Sequence, residues 1–173
     1  MSSNKESSYK QEHMLSKYMG WNVVSGSGAR PFALGDVASE YFLAECKTHN
    51  SLQKSIVFKA DHWNKIVIEA RSSGKRPLLV TDNGSQDFRY TWVMLPLNVI
   101  TNCISINVID GLNNTSRSGN TVTFDEADAH LLYANQSKNN QLSVFITKWK
   151  DSEEYNAILP LVNFKLFFEE IFN

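Results

Sequence analysis

The chain is expected to fold as an α/β domain in which helices flank a central mixed β-sheet. Three observations predict this. Between positions 59 and 73, Trp63, Ile66, Val67 and Ala70 recur at helical spacing, which buries one face of a helix. Short apolar runs at 41–47 and 78–81 stand on either side, and both have strand length. Helix after hairpin and strand after helix is the order that lays helices on the faces of a sheet.

The elements follow in sequence. Residues 9–19 read as an amphipathic helix with Met14, Leu15, Tyr18 and Met19 apolar, stopped at Gly20. Residues 21–24 form a first strand. Residues 35–38 and 41–47 form a hairpin turning near Ser39-Glu40. After the helix over 59–73, Gly74 supplies the cap and Pro77 blocks continuation, with Lys75 and Arg76 placed to complement the helix dipole. A weak internal repeat follows. Leu79-Val80-Thr81 leads through a polar turn to Val93-Met94-Leu95-Pro96-Leu97, and Phe145-Ile146-Thr147 leads similarly to Ala157-Ile158-Leu159-Pro160-Leu161. Phe88, Tyr90 and Trp92 are expected on a strand. One domain is expected over 1–173: a core over about 9–97, an insertion over about 98–140, and a C-terminal hairpin with a helix over 141–173. In the insertion, Asp110-Gly111 and Asn113-Asn114 mark turns, and 125–133 is expected to form a short helix capped near Thr123.

Composition sets outer bounds. Apolar residues make up 42% of the chain, enough for a core, and no run is long enough to span a membrane. The polar start lacks a signal-peptide core, and Cys46 and Cys103 lack metal or redox spacing, so the expected compartment is cytoplasmic. The sequons at Asn113 and Asn135 are then inert. Residues 1–80 carry eleven Lys/Arg against seven Asp/Glu, whereas 81–173 carry six against eleven. The first half is the more basic one, as phosphate binding requires.

The chemistry-bearing residues lie in that half. A strand alternates its side chains, so Tyr41, Leu43, Glu45 and Lys47 share one face and Phe42, Ala44 and Cys46 the other. The hairpin folds Asp36 back beside Glu45, and two carboxylates and an ammonium converge at a sheet edge. Such oxygen donors suit Mg²⁺, usually held by one or two carboxylates and completed by water and phosphate oxygens. The same spacing also describes a strand edge carrying a salt bridge, and the residues alone leave both open.

Asp36 followed by Glu45-Cys46-Lys47 on the next strand resembles the signature of the PD-(D/E)xK nuclease superfamily, the restriction-endonuclease-like fold. The surroundings are most similar to archaeal-type Holliday junction resolvases and their phage relatives. The resemblance runs over about 9–80. It takes in the helix bearing Glu12, Gly20-Trp21-Asn22-Val23-Val24, the loop Ser25-Gly26-Ser27-Gly28-Ala29-Arg30, the helix ending Ala70-Arg71-Ser72-Ser73-Gly74-Lys75-Arg76-Pro77, and Leu78-Leu79-Val80. Gly35 stands where the family name puts Pro.

The resemblance implies a Mg²⁺-dependent DNA endonuclease, with Mn²⁺ as a substitute, acting on branched or duplex DNA as a homodimer in the cytoplasm (the host's, if phage-encoded). Asp36, Glu45 and the Cys46 backbone carbonyl would hold the metal, with Glu12 completing its shell, and Lys47 would orient the nucleophile or stabilise growing charge. Ser25, Gly26, Ser27, Gly28 and Arg30 are the expected DNA-contacting loop, with Lys54 and Lys59 as further phosphate contacts. Alternatives are a sequence-specific or general endonuclease of the same fold, or a non-catalytic DNA-binding protein built on it.

Overall fold

The computed structural model describes residues 3–25, 34–109, 119–125, 127–128, 130–132 and 141–172. The first half contains helix α1 (Ser3–Met19), strands β1 (Asn22–Val23), β2 (Val37–Ala38), β3 (Phe42–Lys47) and β4 (Ser55–Lys59), helix α2 (Ala60–Ser72) and strand β5 (Arg76–Asp82). A 3-10 turn (Phe88–Tyr90) then leads to β6 (Thr91–Pro96) and α3 (Leu97–Thr101). The second half adds β7 (Ile106–Val108), β8 (Thr121–Asp125), β9 (Leu142–Lys148), β10 (Tyr155–Pro160) and helix α4 (Leu161–Phe172).

Among the described residues, eight strands form one mixed sheet in the order β1-β2-β3-β5-β6-β10-β9-β7, and β4 pairs with β8 in a separate ribbon. The β3/β5 and β7/β9 pairs are parallel, and the others are antiparallel. The expected α/β class, with a flanked mixed sheet and a C-terminal strand pair and helix, is what the chain forms.

Alternation sorts each strand between two cores. Phe42, Ala44, Cys46, Leu78, Val80, Val93 and Leu95 face one side, where Leu15 and Met19 of α1 and Phe164, Phe167 and Phe168 of α4 cover them. Leu43, Leu79, Trp92, Met94, Phe145 and Ile158 face the other, beneath Trp63, Ile66 and Ala70 of α2 and the Phe58/Phe124 pair of the ribbon. Each fully buried large side chain contributes about 2 kcal/mol, which is why the helices lie where their apolar rows point.

The described parts of the 98–140 segment, expected as an insertion, are integrated into the sheets. Its β7 continues the sheet beyond β9, and its β8 pairs along the whole of β4, from Ser55↔Asp125 to Lys59↔Thr121. The topology has an internal two-fold. Reading inward from β3 and from β7, both sides run parallel pair, then antiparallel partner, and meet where β6 pairs with β10 around Met94↔Ile158. Each of those residues immediately precedes a copy of the repeated Leu-Pro-Leu motif, at Leu95-Pro96-Leu97 and Leu159-Pro160-Leu161. Strand β4 matches β8 in the same way, with Ile56 and Phe58 buried like Val122 and Phe124. The weak repeat in the sequence thus has a structural counterpart, and β1 and β2 extend the first half alone.

Several local expectations are corrected. Helix α1 begins at Ser3, well before position 9. Phe88 and Tyr90 lie in the 3-10 turn, where Phe88 stacks on Tyr18, and only Trp92 is on a strand. Residues 127–128 and 130–132 are helical as expected, but the cap is Asp125, whose carboxylate accepts the Ala127 and Asp128 N–H groups. Tyr41 precedes β3 and packs its ring against Phe172 instead of sharing the Leu43 face. Lys75 does not serve the α2 dipole: its ammonium binds the Ser39 and Glu40 carbonyls and pins the β2–β3 turn. Arg76 lies over the Phe172 ring at 5.3 Å.

Candidate functional site

The site is assembled at the edge where the β2–β3 hairpin meets α1 and α2. The pairing Val37↔Ala44 and Ala38↔Leu43 sets the hairpin register. It folds Asp36 back, so that its N–H donates to the Ala44 carbonyl at 2.8 Å and its Oδ2 accepts the Cys46 N–H at 2.8 Å. Gly35 makes this turn possible. Its φ of +66° is unfavourable for other residues, and a Cβ there would lie 2.7 Å from Leu43 Cγ. Proline, locked near a φ of about −65°, does not fit this backbone.

Glu45 points from β3 towards α2 and is 1% exposed. Lys47 Nζ donates to its Oε1 at 2.5 Å, and Lys65 Nζ donates to Oε1 at 2.8 Å and Oε2 at 2.7 Å. Burial opposes ionisation of Glu45, but the two lysines outweigh it and hold its carboxyl below the usual range. Asp36 goes the other way: burial, then the neighbouring Glu45 charge, raises its carboxyl despite the Cys46 N–H. Glu12 on α1 belongs to the same field. Burial first, then the charges of Asp36 and Glu45, pushes its carboxyl up to about 7 against the pull of Lys47.

The structure therefore brings Glu12, Asp36, Glu45 and Lys47 together. No protein-family model, curated protein or solved structure matches this chain.

The remaining expected residues divide. The Cys46 side chain is buried in the core, with its thiol raised by that burial, and its backbone lies in β3 between the Glu45 and Lys47 positions. Of the loop Ser25–Arg30, Ser25 is exposed, while Gly26, Ser27, Gly28 and Arg30 lie outside the described residues, as do the Asn113 and Asn135 sequons and the Asp110-Gly111 turn. Lys54 is exposed on the approach to β4. Lys59 is exposed at the α2 N-cap, near enough to His62 to help hold its pKa down, after burial as the main cause.

Four participants were not legible as such. Gln11 is fully buried and donates from Nε2 to the Lys47 carbonyl at 2.8 Å, tying α1 to the end of β3. Its Oε1 is buried and accepts no hydrogen bond from the described residues. His62, Lys65 and Glu69 occupy one row of α2, flanking the apolar Trp63, Ile66 and Ala70. Glu69 Oε2 accepts the Gly35 N–H at 2.8 Å. The signal for this row was its spacing of three and then four residues, which keeps polar groups on one helical stripe.

Among the described residues, no three His, Cys, Asp or Glu side chains lie close enough together to ligate a single ion. The donor set fits a hard cation held by one or two carboxylates, with water and phosphate filling the remaining positions. The upward shifts of Glu12 and Asp36 have in part the same cause, unneutralised negative charge, and a cation would relieve it.

Proposed function

We propose that the protein is a metal-dependent DNA endonuclease hydrolysing phosphodiester bonds, selective for branched DNA in the manner of a Holliday junction resolvase. One observation carries it: Asp36 lies against the Glu45-Cys46-Lys47 strand, with its carboxylate on the Cys46 N–H and Lys47 on Glu45. The order of α1, the β1–β2–β3 meander, α2 and a β5 parallel to β3 supports the same family resemblance.

Asp36 and Glu45 would hold Mg²⁺, with Glu12 and the Cys46 carbonyl as further oxygen donors. When bound, the ion supplies Lewis acidity at the phosphate and lowers the pKa of water. The chain's own residues do the rest. Lys47 presents an ammonium beside the metal carboxylates, where it stabilises charge growing on the phosphate oxygens. Glu12, on α1 and in the same field as Asp36 and Glu45, would complete the metal's shell directly or through water. Glu69 fixes the Gly35 backbone and so the position of Asp36. Recognition of branched DNA would rest on shape and phosphate contacts, with Lys54, Lys59 and the Ser25–Arg30 loop as contributors.

The test is cleavage of labelled four-way junction, flap and linear duplex with Mg²⁺, Mn²⁺ or EDTA, by wild type, Asp36→Asn and Lys47→Ala. Paired nicks in the junction that need metal and vanish in both variants are expected. Metal-dependent cutting of linear DNA alone would retain the chemistry and reject the branched substrate. Binding without cleavage under any ion would reject the enzyme.

A further inference from the structure

Helix α2 sends a second ammonium group onto the carboxylate that the metal would use. Lys65 Nζ lies 2.8 Å from Glu45 Oε1 and 2.7 Å from Oε2, so one cation spans both oxygens. Glu45 is 1% exposed, while Lys65 is 51% exposed and reaches in from the surface. The same ammonium stands 3.7 Å from Glu69 Oε1, and the other Glu69 oxygen holds the Gly35 N–H next to Asp36. A continuous brace thus joins the two strand segments that carry Asp36 and Glu45.

We propose that Lys65 is a resident counter-cation of Glu45, which holds this carboxylate in the metal-free protein and gives way when a divalent cation takes the same oxygens. The inference rests on the metal-dependent function proposed above. A carboxylate has about four lone-pair positions, and three contacts from Lys47 and Lys65 already occupy Glu45. A cation approaching both oxygens meets the Lys65 ammonium first. Displacing it is feasible because the lysine stem is flexible and half exposed, so its charge can return to water. Glu45 is never left buried and unpaired, since the incoming ion replaces the outgoing one. Once released, the Lys65 ammonium stays at the mouth of the site, where a DNA phosphate would meet it.

The experiment is calorimetric titration of the full chain with MnCl₂ and MgCl₂, beside thermal melting in EDTA, for wild type, Lys65→Met and Lys65→Arg. Loss of a competing unit charge at this range should tighten Mn²⁺ binding by Lys65→Met on the order of tenfold, while its melting temperature in EDTA falls. Lys65→Arg keeps the charge and should stay within about twofold of wild type. If Lys65→Met does not fold, Lys65→Gln takes its place with the same expectation. Unchanged or weaker Mn²⁺ binding by the neutral variant overturns the proposal and leaves a structural ion pair. That result leaves metal binding by the wild type intact. No divalent binding by the wild type would instead remove the metal-dependent function, and this proposal with it.

Discussion

Glu12 is the residue whose proton affinity folding changes in the most usable way. Its carboxyl rises from 4.5 to about 7, so the folded chain binds a proton that the unfolded chain has released. Stability from this group is present below about pH 4.5 and is lost as pH rises through about 7. In EDTA the melting temperature should therefore fall between about pH 5 and about pH 8, and the fall should be shallower in Glu12→Gln. A profile identical in both proteins would show that Glu12 does not sense the cluster. Gly35 makes a second residue-scale prediction. Its φ is +66°, and an added Cβ would stand 2.7 Å from Leu43 Cγ, so Gly35→Ala should cost about 1–3 kcal/mol in urea unfolding. It should also weaken metal binding, because Asp36 is the next residue. Asp36, Glu45 and Lys47 were legible in the sequence, because strand alternation and a nine-residue return fix where 36, 45 and 47 fall. Gln11 was not, since its function is a hydrogen bond to a carbonyl 36 residues away.

Helix α2 does two jobs with two adjacent stripes. Trp63, Ile66 and Ala70 anchor it to the sheet, while His62, Lys65 and Glu69 face the carboxylates. The stripes should separate experimentally. Ile66→Ala should cost about 2–5 kcal/mol of stability, read by urea unfolding, with metal affinity per folded molecule unchanged. A matching loss of metal affinity would show that the two stripes are coupled. The apolar stripe was plain in the sequence because burial has a period. The polar stripe was not, because Lys65 has meaning only beside Glu45, on a strand 20 residues earlier. The same physics hid the role of 98–140. A three-residue β7 and a five-residue β8 carry little local signal, and each is defined by a distant partner, β9 or β4.

At the scale of the whole molecule, the internal two-fold repeats the frame but not the site. Ile109, buried and bonded through its N–H to the Val144 carbonyl, follows β7 directly and occupies the position that corresponds to Glu45 on β3. Only four residues separate α3 from β7, so among the described residues the second half has no counterpart of the β1–β2 meander that carries Asp36. The chain should accordingly hold one divalent site, and calorimetry should return a stoichiometry of about one ion per chain at a carboxylate-pair site. Two equivalent ions would contradict that asymmetry. The repeated Leu-Pro-Leu motif hinted at the symmetry, but only the pairing of Met94 with Ile158 makes it a two-fold. Whether Asp36 and Glu45 hold a metal that cuts DNA is tested most directly by single-turnover cleavage of a labelled four-way junction with Mg²⁺, comparing wild type with an Asp36→Asn protein shown to be folded. Cleavage by the wild type, reduced at least about a hundredfold in the variant, is the predicted result. Equal rates in the two proteins, or no cleavage by the wild type with Mg²⁺ or Mn²⁺, would contradict it.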